Sequence, residues 1–204
     1  MPYRETAQVR ARKDEVRAAI LEAARVLVSQ GGFRAAQMSA VAAGAGIATG
    51  TIYRYFPTQS ELFAEIFRIN SQREVEAMAA AAIGAGDCTL RLRQALSSFI
   101  DRALRNRRLA YALIAEPVDP QVEAERLQYR AAYARVLELL LQEGIASGEF
   151  APQEAQISAA ALVGLLAETL LGPLVKSLPA AGPSAADAIV SLCLRAVGAK
   201  ENPQ

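Results

Sequence analysis

The sequence predicts an all-α protein, and its length allows either one domain of ordinary size or a small N-terminal helical head with a larger helical body. Three observations indicate this fold class. Apolar residues make up 52% of the 204 residues, with alanine very frequent. β-Branched residues do not form the alternating runs that are typical of strands. Apolar residues instead recur at intervals of three and four along most of the chain, which is the spacing of helices with one buried face.

Charge is distributed unevenly along the chain. The net charge is only +1, but residues 1–60 carry eight basic and four acidic side chains, whereas the remainder carries 14 basic and 17 acidic ones. A basic head on a mildly acidic body fits an attraction to phosphate that is confined to one end of the molecule.

The residue inventory argues against several classes of protein. Histidine is absent and the only cysteines are Cys88 and Cys193, so neither a metal-ligand cluster nor a disulfide framework is indicated. Without a Gly-rich phosphate loop or paired carboxylates, we expect no catalytic residues, no cofactor and no enzymatic activity. The first 13 residues are polar and basic and do not resemble a signal peptide, so we expect a cytoplasmic protein.

The first helix is predicted to run from Asp14 to a stop at Gly31-Gly32, with Phe33 folding back over its end. Its apolar residues follow steps of three and four, as on one face of a helix. Residues 2–13 are basic and lack such a stripe. Two interpretations stay open for them: a mobile arm that touches phosphate or the minor groove, and a frayed terminus.

Residues 38–56 have the pattern of two short helices around a tight turn. The small Ala42 allows the second helix to approach closely, and Gly46 suits the positive φ of the turn. Ile47 and Ile52 then fill the angle between the helices. The second segment exposes hydrogen-bond donors and flat rings without a carboxylate: Thr49, Thr51, Tyr53, Arg54 and Tyr55. Such groups suit the phosphates and base edges of a DNA major groove, although a helical hairpin with a polar outer face has the same pattern.

The same stretch resembles the N-terminal domain of the TetR (tetracycline-repressor) family. The resemblance rests on Gly32-Phe33, Val41-Ala42, Ala45-Gly46-Ile47, residues 50–56 (GTIYRYF) and Glu61-Leu62, within about the first third of the chain. It implies a ligand-responsive transcriptional regulator, more commonly a repressor, that acts as a homodimer. Two heads held in a dimer read two half-sites, so the double-stranded DNA operator is expected to be an inverted repeat.

The resemblance also implies which residues contact DNA. Base contacts fall on Thr49, Gly50 and Tyr53, and phosphate contacts on Thr51, Arg54 and Tyr55. Gln37 and Ser39 also lie close to DNA in the family. The competing interpretation for one of the two tyrosines is a half-buried ring whose hydroxyl touches solvent.

Three departures from the family pattern affect DNA binding. Ala36-Gln37 replaces a pair of threonines and weakens the helix cap. Thr49 stands where lysine is frequent, and Gln59 stands where a phosphate-binding lysine is common. Because each missing cation removes about one counterion from the salt dependence, we expect a shallow salt dependence in which Arg54 has a large share.

We place the DNA-binding head at residues 1–57, with the basic arm at 1–13, and the regulatory and dimerisation body at 58–204. A connecting helix over 58–83 opens with the capping-box spacing of Thr58 and Glu61. A rigid helix of this length is expected to pass a change in the body to the DNA-reading end.

After a joint at residues 84–86, further helices are predicted at about 89–106, 109–115, 120–148, 152–175 and 184–198. Asp119 is the predicted N-cap of the third, and the apolar stripe of that helix includes Leu127. The stretch from Ile157 to Val175 is apolar nearly all round, apart from Glu168, and must be covered on most faces.

A membrane span is the alternative for this apolar stretch. We expect no membrane association, because Glu168 lies centrally and Gly172-Pro173 interrupts the run. The helix with this apolar stretch and the last helix have more apolar surface than one subunit can bury. This predicts a homodimer that forms through a four-helix bundle.

The body is expected to hold a cavity whose occupancy changes the spacing of the two heads in the dimer. A ligand can cause this change only if its affinities for the two arrangements of the dimer differ. The apolar composition and the lack of a charge cluster indicate a mainly hydrophobic small molecule. The candidate lining residues are Phe99, Tyr111, Tyr129, Tyr133 and Glu168. The aromatic residues are alternatively core, with Glu168 paired to an arginine such as Arg102. For the whole chain, the alternative is a helical protein-interaction module without sequence-specific DNA binding.

Overall fold

A computed structural model describes residues 6–175 and 184–200, and every regular element in these ranges is helical. The helices are α1 (Ala7–Gly31), α2 (Met38–Gly44), α3 (Thr49–Ile52), α4 (Gln59–Ala82), α5 (Cys88–Arg105), α6 (Arg107–Ile114), α7 (Pro120–Ala146), α8 (Ala155–Val175) and α9 (Ala185–Ala196). A 3-10 turn, Phe33–Ala35, connects α1 to α2. The predicted all-α class is confirmed.

One hydrophobic core lies beneath the two short helices of the head. It is formed by α1, α2, α3 and the first half of α4, and it extends to Ala112 and Val122 of α6 and α7. Helix α1 ends at the predicted glycines because Gly32 has a φ of 75°, which favours glycine. Phe33 then folds back as predicted, and its ring centre lies 5.0 Å from that of Phe63.

Helix α4 contributes to two cores. Thr58 Oγ1 accepts a hydrogen bond from the amide of Glu61 at 3.1 Å, which starts the helix where the sequence predicts. The head core contains Leu62, Phe63, Ala64, Ile66 and Phe67 of this helix, whereas the second core contains Met78 and Ala82. The head core therefore continues as far as Phe67, beyond the predicted boundary at residue 57.

The second core lies in the body, between the end of α4 and helices α5, α7, α8 and α9. Its largest fully buried side chains include Leu92, Leu96, Ile100, Leu137, Leu141 and Leu162. Helix α7 begins at the predicted N-cap, where Asp119 accepts from the amides of Gln121 at 2.9 Å and Val122 at 3.2 Å. The ring of Phe150 fills the space beside Gly144 of α7, where a Cβ would collide with it.

Three local predictions are wrong. Helix α1 begins at Ala7 with Thr6 as its N-cap, so most of the predicted arm is helical; residues 1–5 lie outside the described residues. Its first turns are exposed and therefore lack an apolar stripe, although their alanines and arginines favour a helix. Leu127 is 58% exposed instead of facing the core. Helix α8 continues through Pro173, although proline lacks the N–H that would donate to the carbonyl oxygen of Thr169.

Helix α8 is, among the described residues, the one helix long and apolar enough to cross a membrane by its length and composition. Only 33% of its most apolar stretch is buried within the chain. Much apolar surface of α8 is therefore left outside both cores.

Candidate DNA-binding surface and effector cavity

The turn between α2 and α3 has the predicted geometry. Gly46 has a φ of 68°, and the amide of Ile47 donates to the carbonyl oxygen of Ala42 at 3.0 Å. Ala42 and Ile52 are buried, and Ile47 packs against the same core. This packing fixes the residues after the turn relative to α2, so that they form one outward surface.

The residues expected to contact DNA lie on this surface to different degrees. The exposed ones are Gln37, Ser39, Thr49, Gly50, Tyr53 and Arg54, and the partly buried ones are Thr51, Tyr55 and Gln59. Tyr53 is 49% exposed, whereas Tyr55 packs against the head core. Of the two tyrosines, Tyr55 is thus the half-buried ring.

Two of these residues also hold the loop of the head together. Gln37 Nε2 donates to the carbonyl oxygen of Arg34 at 3.2 Å, and Gln59 Nε2 donates to that of Ala36 at 3.4 Å. The side-chain amide of Gln59 is therefore directed at the head's own backbone, unlike a lysine that reaches for phosphate.

Helix α3 does not continue as an α-helix as far as Tyr55. It ends at Ile52, and the chain then tightens: the amide of Arg54 donates to Thr51 at 3.1 Å, and that of Tyr55 donates to Ile52 at 2.9 Å. This turn returns Phe56 to the core. Tyr53 and Arg54 are left on its exposed side.

An ion pair braces the head behind the surface. Arg17 Nη2 of α1 lies 2.7 Å from Glu65 Oε1 of α4, and Arg68 Nη2 lies 2.8 Å from the same oxygen. Burial favours the neutral form of Glu65, but the hydrogen bonds from Arg17 and Arg68 outweigh it and lower the pKa of Glu65 below its usual value of 4.5. The ionised carboxylate therefore joins α1 to α4.

The body encloses a cavity of about 210 Å³ between α4, α5, α6, α7 and α8. Its walls are mostly apolar, with Met78, Leu113 and Leu166 among them. Three of the predicted residues line it: Phe99, Tyr129 and Tyr133. The rings of Phe99 and Tyr133 meet edge to face, with centres 5.6 Å apart. Burial raises the pKa of Tyr133, so its hydroxyl stays protonated at neutral pH.

The other two predicted residues do not line the cavity. The ring of Tyr111 lies instead 5.7 Å from the guanidinium of Arg108. Glu168 is exposed, because each residue turns the helix by about 100° and α8 directs Ala167 to the cavity. Arg102 also does not pair with Glu168. Its Nε lies 2.7 Å from Glu74 Oε2, which places an ion pair in the wall.

Two buried charged residues near the cavity were missed by the sequence reasoning. Glu116 is 7% exposed and Arg126 is 8% exposed. In the sequence, Glu116 stands out only as the residue before Pro117 at the end of a helix. Arg126 had a usable signal, because it occupies the buried stripe of α7 between Val122 and Tyr129, where a charge needs partners.

Family models match both parts of the chain. Residues 20–66 match the model of bacterial regulatory proteins of the tetR family, and residues 85–170 match that of the tetracyclin repressor-like C-terminal domain. The chain belongs to the TetR family. The predicted helix-turn-helix head and helical body, and the family resemblance seen in the head, are confirmed.

Relatives of this TetR-family protein include named regulators. The HTH-type transcriptional repressor KstR of Mycobacterium tuberculosis is 43% identical over 72 residues, which span 33% of either protein, so the chain matches a third of that relative. The fatty acid metabolism regulator protein of Bacillus subtilis is 26% identical over 132 residues, 64% of this chain and 68% of that protein. FadR from Bacillus subtilis in complex with stearoyl-CoA has the same fold, with a TM-score of 0.73 and 20% identity over 88% of this chain and 97% of that one.

Metal-binding groups are not found in the part of the chain that the structure describes: no cluster of three or more histidine, cysteine, aspartate or glutamate side chains could hold an ion there. Cys88 and Cys193 are both buried free thiols. Burial raises the pKa of Cys193 to about 11, which keeps it protonated and unreactive at neutral pH.

Proposed function

We propose that this TetR-family protein is a transcriptional repressor that binds an inverted-repeat operator as a homodimer and is released by a hydrophobic small molecule. The observation that carries the proposal is the exposed surface of the head. Thr49, Tyr53 and Arg54 are exposed beside a turn whose apolar residues are packed inward. The KstR relative, which is a repressor, matches this head and supports repression as the direction of control.

Within that surface we assign base contacts to Thr49, Gly50 and Tyr53, and phosphate contacts to Thr51, Arg54 and Tyr55. Gln37 and Ser39 lie beside them. Gln59 has a minor part because its side-chain amide already donates to Ala36.

DNA binding is tested by selecting duplexes from a random library with the full-length protein and titrating the selected duplex. We expect an inverted repeat and a sequence-selective complex. Enrichment of no sequence, with equal binding to all duplexes, would contradict the proposal and favour a protein-interaction module.

The dimer is supported by the outward face of α8 and α9. The exposed residues of this face are small or apolar apart from Glu168 and Arg195, and they are spaced as on one side of each helix: Ile157, Ala160, Ala161, Gly164, Glu168, Gly172 and Val175 on α8, and Ala188, Leu192 and Arg195 on α9. Small residues let helices approach closely, and burial of this face by a second copy removes its apolar surface from water.

Gly164→Glu tests this interface by light scattering after size-exclusion chromatography. A side chain at Gly164 meets nothing within 4 Å in its own chain, so the subunit should keep its fold. We expect a dimer to become a monomer. The matched control is Leu127→Glu, which places the same charge at another exposed apolar position and should leave the dimer intact. A dimer that tolerates Gly164→Glu would remove α8 from the interface.

The cavity indicates a compact hydrophobic effector. A cavity of about 150 Å³ holds benzene, so 210 Å³ takes a group only somewhat larger unless the walls open. The relatives that bind stearoyl-CoA or regulate fatty acid metabolism support an acyl compound. Octanoate and octanoyl-CoA are therefore the first probes, with stearoyl-CoA for comparison.

The effector test measures the affinity for the selected duplex in the presence of each probe. We expect a short acyl compound to weaken the complex. Ala103→Leu, which fills the cavity from α5, should keep DNA binding and lose the response. Unchanged DNA affinity with every acyl probe would exclude this class of effector.

The family also supports action on chromosomal DNA in the cytoplasm and a regulatory rather than an enzymatic role.

A further inference from the structure

The connection between α6 and α7 carries a carboxylate that reaches into the head. Glu116 accepts hydrogen bonds from the backbone amide of Phe33 at 3.2 Å and from that of Arg34 at 3.4 Å. These amides open the 3-10 turn, where no preceding turn of helix supplies an acceptor. The turn ends at Ala35, so only Ala36 and Gln37 separate it from α2. Glu116 thus holds the backbone from which the helix-turn-helix begins.

A second contact fixes Glu116 against the end of α1. Arg108 Nη2 lies 3.7 Å from Glu116 Oε1 and donates to the carbonyl oxygen of Gly31 at 2.6 Å. Gly32 lets the groups approach, because a Cβ at this position would collide with the Glu116 carboxylate and the Arg108 guanidinium. The head and the body therefore meet through the charged side chains of Glu116 and Arg108, which are packed closely against Gly32.

Arg126 supports the same connection from the cavity side. Its Nε donates to the carbonyl oxygen of Leu113 at 3.0 Å, and its Nη2 donates to that of Glu116 at 2.8 Å. Its guanidinium also lies 5.9 Å from the ring centre of Phe67 and forms part of the cavity wall. One side chain thus lines the cavity and holds the end of α6 and the residue that contacts the head.

We propose that Arg126 and Glu116 are positioning residues that link the cavity wall to the helix-turn-helix by a route separate from the connecting helix α4. A ligand that displaces the Arg126 guanidinium withdraws a donor from the Glu116 carbonyl. The Glu116 carboxylate then loses its fixed position against Phe33 and Arg34, and α2 is free to shift with the turn. The regulatory meaning of this link rests on the proposed function.

Hydrogen–deuterium exchange of the full-length protein tests the link without DNA or effector. Glu116→Ala should accelerate exchange in the peptide that contains Phe33 and Arg34 by about tenfold, since their amides lose a charged acceptor. Arg126→Met, which does not touch that peptide, should accelerate its exchange severalfold. Adding Arg126→Met to Glu116→Ala should produce no further acceleration.

The matched control is Arg130→Met, another arginine of the cavity wall, which should leave exchange at Phe33 and Arg34 unchanged. Arg126→Lys keeps the charge and loses the fork of donors. It should give a milder form of the same acceleration, and it replaces Arg126→Met if that variant does not fold. The proposal is overturned if the Arg126 variants leave the exchange rate of the peptide with Phe33 and Arg34 unchanged. It is also overturned if the double variant exchanges faster in this peptide than Glu116→Ala alone.

The same variants are then titrated with the selected duplex. Glu116→Ala and Arg126→Met should each weaken DNA binding, and the double variant should bind no more weakly than Glu116→Ala alone. If the exchange pattern holds and no selective DNA binding exists, the proposed function fails and the link stands. If DNA binding exists without the exchange pattern, only the link fails.

Discussion

Arg54 provides a direct test of where this protein touches DNA. Its backbone amide donates to the carbonyl oxygen of Thr51 at 3.1 Å, which holds the chain in place. Its side chain is exposed, so Arg54→Ala removes a positive charge without opening the core. The substitution should therefore act on DNA binding and leave thermal stability almost unchanged.

The size of the effect follows from counterion release. Each phosphate contact contributes about 0.9 to the slope of the logarithm of affinity against the logarithm of salt concentration. A homodimer presents two copies of Arg54, so the slope should become shallower by about 1.8. A fourfold rise in salt, from about 50 to about 200 mM, should then lower the ratio of the DNA affinity of the unsubstituted protein to that of Arg54→Ala roughly twelvefold.

Fluorescence anisotropy with a labelled operator duplex measures this slope at several salt concentrations. Arg107→Ala is the matched control, because it removes the same charge from an exposed position at the start of α6. Its slope should equal that of the unsubstituted protein. An unchanged slope for Arg54→Ala, or an equal change in both variants, would refute the assignment of Arg54 to a phosphate.

Three further predictions concern the reading surface, the body and the brace of the head. Tyr53→Phe should weaken operator binding by about 1 kcal/mol through the lost hydroxyl, with less effect for Tyr55→Phe; anisotropy titration of both variants checks this. Gly144→Ala should lower the free energy of unfolding by about 1–3 kcal/mol, because the added methyl group meets the Phe150 ring; urea denaturation measures it. Glu65→Gln should destabilise the protein near pH 7 by about 1–2 kcal/mol. Since folding lowers the pKa of Glu65, the stability from ionised Glu65 is present above pH 4.5 and disappears as the pH falls through the folded-state pKa, so urea curves of variant and parent should converge on acidification.

The helix-turn-helix could be predicted because its signals are local. Gly46 is needed where the turn has a positive φ, and Ile52 lies at the spacing that buries it against α2. Asp119 likewise marks a helix start through its own hydrogen bonds. Each of these features depends on residues a few positions apart, which a sequence pattern contains.

The cavity was only partly predictable because its walls come from five helices. Periodicity marks a buried face but does not say which neighbour the face meets, so Tyr111 was expected in a wall that it does not reach. Glu116 gave no signal, since its partners Phe33 and Arg34 lie more than 80 positions earlier in the chain. The exposed start of α1 illustrates the opposite case, in which a helix without a buried face leaves no stripe.

The way α4 crosses from one core to the other limits how this regulator can be cut and recombined. A gene fragment that stops after codon 57 would encode a reading unit without Leu62, Ile66 and Phe67, each nearly inaccessible to water in the intact chain. Such a fragment would expose its apolar interior and tend to aggregate. A chimaera that transplants this DNA specificity onto another sensor therefore has to carry codons through Phe67 and supply matching surfaces for Ala112 and Val122.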